Sequence, residues 1–95
     1  MRLDLSRRAQ ADLDDIRDYS MDHFGVARAI LYLDGIEEAL RCVLSYPEIG
    51  AAQADLAAGL RSLRVGEHRL FYRVKRERIL IVRLLHKAMN PVRHI

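Results

Sequence analysis

The chain is 95 residues long, 51% apolar, with a single cysteine and a formal net charge of +3. That size confines it to one small domain with a modest core. Cys42 alone permits neither an intrachain disulfide nor a CxxC metal knuckle. No stretch approaches the roughly 20 apolar residues of a membrane helix, and Met1-Arg2-Leu3-Asp4 does not open a signal peptide, so a soluble cytoplasmic protein is expected.

The charge is unevenly distributed. Residues 1–45 carry six Arg against nine Asp/Glu, a net of −3, whereas residues 46–95 carry ten Lys/Arg against four Asp/Glu, a net of +6. An acidic half joined to a basic half points to a second half that meets something anionic.

In chain order, Arg2-Leu3-Asp4-Leu5 alternates as a short half-buried strand does. Ser6 is placed to cap the helix that follows. Ala9, Leu13, Ile16, Ser20 and Phe24 then recur at steps of three and four, forming one apolar stripe. Gly25 ends this helix in a left-handed cap. A second helix runs from about Val26 to Ser45, its stripe formed by Ala29, Ile30, Leu33, Ile36, Leu40, Val43 and Leu44. Leu31 and Tyr32 lie off that stripe and suggest a second contact surface. The linker at Gly25 is so short that the two helices must form an antiparallel hairpin. Pro47 closes the second helix, since the residue before a proline is disfavoured in helix.

The Ala-rich connector 51–59 reads as loop or a weak helical turn. Beyond Gly59 the apolar period changes from 3.6 to 2, and Leu60–Val65, His68–Val74 and Ile79–Leu85 read as strands. Pairing Val74 with Ile79 across the Lys75–Arg78 loop places Leu70, Tyr72, Val74, Ile79, Ile81 and Leu85 on one face. The other face then holds Arg69, Phe71, Arg73, Leu80, Val82 and Leu84. The expected architecture is α+β: a short N-terminal strand, an antiparallel helix hairpin, then a three-stranded antiparallel sheet with the helices on one face. The terminal segment is expected to be irregular at Asn90-Pro91, with Met89, Val92 and Ile95 as its apolar groups.

Gly59-Leu60-Arg61, the run His68-Arg69-Leu70-Phe71-Tyr72-Arg73-Val74, and Ile81-Val82-Arg83-Leu84-Leu85-His86 together resemble the C-terminal half of ParE-type toxins in the ParE/RelE superfamily. Ala11-Asp12-Leu13 and Tyr46-Pro47-Glu48-Ile49-Gly50 extend the resemblance over nearly the whole chain. It implies a single toxin domain of a type II toxin–antitoxin system that needs no cofactor. Such a toxin acts on DNA gyrase and is held silent in a hetero-oligomer by a ParD-like antitoxin that folds as it binds. The RelE branch instead cleaves messenger RNA on the ribosome.

Metal-free RNA cleavage needs a base, cations for the phosphate and an acid for the leaving oxygen. Arg64, Arg69 and His86 are the candidates here, and Arg69 and His86 match positions that the cleaving relatives use. No tyrosine follows Tyr72, and Lys87 stands where a cleaving relative has one, so two of the three roles are unfilled and a non-catalytic toxin is the first reading. Target binding is expected from Arg69, Arg73, Arg83, Lys87, Met89 and Asn90, the last two resembling the family's Met-Asp pair with its charge removed. Antitoxin contacts are expected from Leu31, Tyr32, Phe71, Leu80 and Val82. The histidines show no metal-ligand spacing. An RNA-binding sheet is a third reading, weakened because Phe71 is the only aromatic group on its face.

Overall fold

The computed structural model describes residues 1–95. Its elements run β1 (Arg2–Leu5), α1 (Arg7–Phe24), α2 (Val26–Ser45), β2 (Ala51–Ala52), β3 (Leu60–Val65), β4 (His68–Val74), β5 (Arg78–His86) and α3 (Pro91–His94). One five-stranded sheet forms in the order β1-β5-β4-β3-β2. β1 lies parallel to β5 and every other pairing is antiparallel. The α+β class is as expected, while the sheet is mixed and gains β2 from the Ala-rich connector. Periodicity could not reveal a strand of two exposed alanines, because it has no buried side to mark.

Ser6 caps α1 by accepting from the Ala9 amide at 3.0 Å. A single residue, Gly25, then joins the helices, its amide donating to Met21 and its carbonyl accepting from Ala29. Its φ of +83° and ψ of 167° lie outside the left-handed helical region, in backbone space that is essentially glycine's alone. The hairpin is set by that conformation. α1 packs on β5 and α2 on β3, with Ala9, Ile16, Ile36 and Val43 meeting Leu70, Tyr72, Ile79, Ile81 and Leu84 in the main core. Phe24 and Ile30, although on the apolar stripes, are 54% and 50% exposed because they lie near the hairpin tip, beyond the main core.

The Val74–Ile79 register holds from the loop as far as Tyr72–Ile81. There the ladder slips: Phe71 pairs with Arg83, so Val82 is an extra residue on β5. Such a bulge exchanges the faces of everything beyond it. Leu84, expected on the far face, therefore packs in the helix-side core, while Leu85 joins Leu60 and Phe71 in a second, smaller cluster. Leu56 and Ala57 of the connector and Met89 and Ile95 of the tail cover that cluster. The tail is more regular than expected, since Asn90 caps α3 by accepting from the Val92 amide at 3.1 Å and Pro91 sits in the first turn, where its missing N–H costs nothing.

β1 ends at Leu5 and leaves the edge of β5 open from Val82 onward. The cap of α1 and one side chain within it close that edge. Ser6 donates to the Val82 carbonyl at 2.8 Å, and Asp12 accepts from the Leu84 amide at 3.0 Å. Asp12 also takes both Nε (2.7 Å) and a terminal nitrogen (2.9 Å) of Arg83. This bidentate pair is shielded, with side chains 9% and 14% exposed, and it holds the Arg83 guanidinium even more firmly protonated than usual. The third Arg83 contact reaches the His94 carbonyl at 2.7 Å and ties down the tail.

Tyr72 anchors the opposite end. It is fully buried, donates to the Pro47 carbonyl at 2.7 Å and accepts from the Gly50 amide at 2.8 Å. A Cβ on Gly50 would lie 2.6 Å from the Tyr72 hydroxyl, so the approach requires glycine. Arg61 donates to the Gly50 carbonyl at 2.8 Å and completes the anchor.

Two outcomes follow from this packing. Asp12→Ala leaves the shielded Arg83 charge unpaired and is expected to cost about 3–5 kcal/mol in denaturant unfolding, whereas replacing the exposed Asp18 changes stability by less than about 0.5 kcal/mol. Tyr72→Ala is expected to lose about 3–5 kcal/mol, while Arg73→Ala, on the other face, melts close to the parent chain. Equal losses for Tyr72 and Arg73 in circular dichroism melts would refute the assignment of faces.

Candidate partner-binding site

At the end of the sheet where β4 begins and β5 finishes, the helices diverge from the strands. The gap is a groove of about 890 Å³. Ile16, Leu84 and Met89 contribute apolar surface to it, and Tyr19, Phe24 and Leu31 line it from the helix hairpin. The last three are 56%, 54% and 71% exposed, so the groove offers apolar surface to a partner. Tyr19 stacks on His23 with ring centroids 3.9 Å apart and meets Phe24 edge-on, so the hairpin tip presents an ordered aromatic surface.

The groove wall also holds a polar cluster. The Tyr32 hydroxyl lies 2.6 Å from His68 Nδ1 and accepts from the Glu67 amide at 2.9 Å. His68 meets His86 edge to face at 5.3 Å between centroids. Burial, reinforced by His86, pushes the His68 imidazole below its ordinary value, against the opposing pull of Glu67 and Asp12. Burial likewise raises the Tyr32 phenol. Glu67 is ion-paired with Lys87, which holds its carboxyl below the usual range. Counting back from the Val74–Ile79 pair without the bulge sets His68 opposite Leu85; the slip at Val82 brings His86 there instead. The sequence carries no signal for this histidine pair, nor for the contacts by which Asp12 and Ser6 close the β5 edge.

The residues expected to bind an antitoxin divide between two surfaces. Leu31 and Tyr32 line the groove, whereas Phe71, Leu80 and Val82 belong to the opposite sheet face. Phe71 is fully buried, so its expected place on an open surface is corrected: the chain's own connector and tail cover it. Leu80 and Val82 are half-buried.

The residues expected to bind a target divide as well. Arg69 is exposed, with its guanidinium 6.0 Å from the centre of the Phe71 ring. Arg73 is half-buried, and its Nε has no hydrogen-bond partner. Arg83 is a second correction, since it is 7% exposed and its guanidinium is occupied by Asp12 and the His94 carbonyl. Lys87 is exposed but paired with Glu67, Met89 packs on the Phe71 cluster, and the Asn90 side chain is engaged as the α3 cap.

Nor do the three nuclease candidates meet. Arg64 and Arg69 are direct cross-strand partners on the Phe71 side, while His86 pairs with His68 on the helix side. A base and its phosphate-binding cations must face one substrate, and here the sheet separates them. No three His, Cys, Asp or Glu side chains converge as metal ligands. No helix is long and apolar enough to cross a membrane.

Comparison with known proteins agrees with this architecture. Residues 3–91 match the model of the ParE toxin of type II toxin–antitoxin systems, parDE. Toxin ParE1 of Caulobacter vibrioides is 41% identical over 91 residues, covering 96% of this chain and 94% of that protein. Toxin ParE1 of Mycobacterium tuberculosis is 39% identical over 92 residues, with the same two coverages of 96% and 94%. Among solved structures, the chromosomal ParDE TA system from P. aeruginosa superposes with a TM-score of 0.78 at 28% identity, covering 90% of this chain and 95% of that one. The chain belongs to the ParE toxin family of type II toxin–antitoxin systems.

Proposed function

We propose that this toxin acts without catalysis, by binding DNA gyrase in the cytoplasm, and that a ParD-like antitoxin silences it by laying an apolar segment into the groove between the helix hairpin and the ends of β4 and β5. The observation that carries the antitoxin half is the exposed apolar rim of Tyr19, Phe24 and Leu31 around a preformed groove. The related solved structure is a ParDE toxin–antitoxin system, which supports a partner of that kind. The gyrase half rests on family membership and on the separation of Arg64 and Arg69 from His86, which favours binding over RNA cleavage. Arg69 and Arg73, which take part in no ion pair with a carboxylate, are the side chains assigned to an anionic surface of the target.

Two measurements test the two halves. Leu31→Glu places a charge on the groove rim and is expected to weaken antitoxin binding at least about tenfold, since a central apolar anchor carries more than about 1.4 kcal/mol. An unchanged affinity would move the antitoxin elsewhere. At an antitoxin concentration of about 100 times Kd, the complex should be about 2.7 kcal/mol more stable than free toxin.

For the target, expression in growing cells is expected to raise the DNA-damage response while transcripts stay intact. Arg69→Ala with Arg73→Ala should then reduce killing and leave antitoxin capture unaffected. Cleaved transcripts without DNA damage would replace gyrase by the ribosome as the target.

A further inference from the structure

In the Tyr32–His68–His86 cluster the Tyr32 ring packs against the main core, while its hydroxyl and the two imidazoles form one wall of the groove. The hydrogen-bond pattern of the cluster decides which protonation state it favours. The Tyr32 hydroxyl already accepts from the Glu67 amide at 2.9 Å. Its single proton is best given to His68 Nδ1 at 2.6 Å, the alternative acceptor being the Val65 carbonyl at 3.3 Å. Donation to Nδ1 requires a neutral His68 with its proton on Nε2. A second proton on His68 would turn Nδ1 into a donor, force Tyr32 onto the longer contact, and set a cation 5.3 Å from the His86 ring.

The charged groups around the cluster do little to offset this. Glu67, in the β3–β4 turn, is committed to Lys87 at the end of β5. Asp12 on α1 is committed to Arg83. The other charged side chains lining the groove, Asp15 on α1 and Arg28 on α2, have opposite signs. His68 is half-buried but His86 is exposed, so a segment lying in the groove removes water from an imidazole that water now solvates. Burial without a new anionic partner disfavours the charged form of a histidine.

We propose that docking in this groove is proton-linked: the antitoxin's apolar segment binds while His68 and His86 are both neutral and is loosened as they take up protons. The inference rests on the antitoxin reading above and adds a control to it. By linkage, if the complex holds fewer protons than its separated parts, affinity falls as pH drops through the histidine range.

The test uses a whole ParD-like antitoxin that this toxin captures, titrated onto the toxin by calorimetry from about pH 7.5 to about pH 5.5. The expected result is a Kd that rises about tenfold or more across that range, with proton release at about pH 6 revealed by buffers of different ionisation enthalpy. In His86→Gln the rise should shrink, and in His68→Gln with His86→Gln it should vanish. Circular dichroism at each pH checks that both partners remain folded. His86 is exposed, so its single variant keeps the test decisive even if the double variant folds poorly. A pH-independent Kd in the parent toxin overturns proton linkage while leaving groove docking intact. An undiminished slope in the folded histidine variants assigns the proton elsewhere and also overturns it. A Kd insensitive to Leu31→Glu removes the groove-docking reading, and the linkage with it.

Discussion

The Asp12 carboxylate is the point on which the two halves of this molecule depend. It bonds two nitrogens of Arg83 and the amide of Leu84, across more than seventy residues of chain. The need for it arises from a mismatch in length. β1 has four residues and β5 has nine, so more than half of the β5 edge would lie open once β1 ends. An exposed edge with unpaired amides and carbonyls invites pairing with other chains. Ser6 and Asp12, both at the start of α1, take those groups instead and fix where the helix lies against the sheet. The bulge at Val82 serves the same arrangement, because it sets Arg83 opposite Phe71, with its guanidinium at the open edge and within reach of Asp12.

The two sides of the sheet are consequently covered in different ways. α1 and α2 cover one side with a true core, yet diverge at the β4–β5 end and leave a groove. The connector and the tail cover the other side with only four apolar side chains, Leu56, Ala57, Met89 and Ile95. Arginines occupy what those four leave uncovered. Long arginine stems shield apolar surface while their charged ends stay in water, so one set of residues both protects the Phe71 cluster and forms a basic surface. The acidic and basic halves of the sequence thus become an acidic helix layer and a basic sheet face.

Much of the architecture could be read from the sequence. Ser6, Gly25 and Pro47 punctuate the helices where their chemistry suggests, and the alternation from His68 to Ile81 gives the right faces. The reading failed where one residue was inserted. Period-2 counting assumes an unbroken ladder, and nothing in Ile81-Val82-Arg83 announces a bulge, so it exchanges Leu84 and Leu85. Arg83 reads as a target-binding residue for another reason, since its partner Asp12 lies 71 residues away and nothing local marks the pair. Phe71 escapes for a different reason: the terminal segment reads as irregular at Asn90-Pro91, whereas these residues start a helical turn that folds Met89 and Ile95 back over the sheet. The groove was legible only in part. Leu31 and Tyr32 stood out as surplus to the helix stripe, whereas the pairing of His68 with His86 depends on the same unseen bulge.

The parallel pairing of β1 with β5 also governs when this protein can become itself during synthesis. The first strand to leave the ribosome has no neighbour until residues 78–81, its partners in the sheet, have followed it out. Distant pairings of this kind delay folding until late in the chain. Leu84, His86 and Met89, which line the groove, emerge later still. A nascent or prematurely ended product therefore has neither a closed sheet nor the surface that a neutralising partner would grip. Closure of the sheet and completion of the groove both wait on residues 78–89.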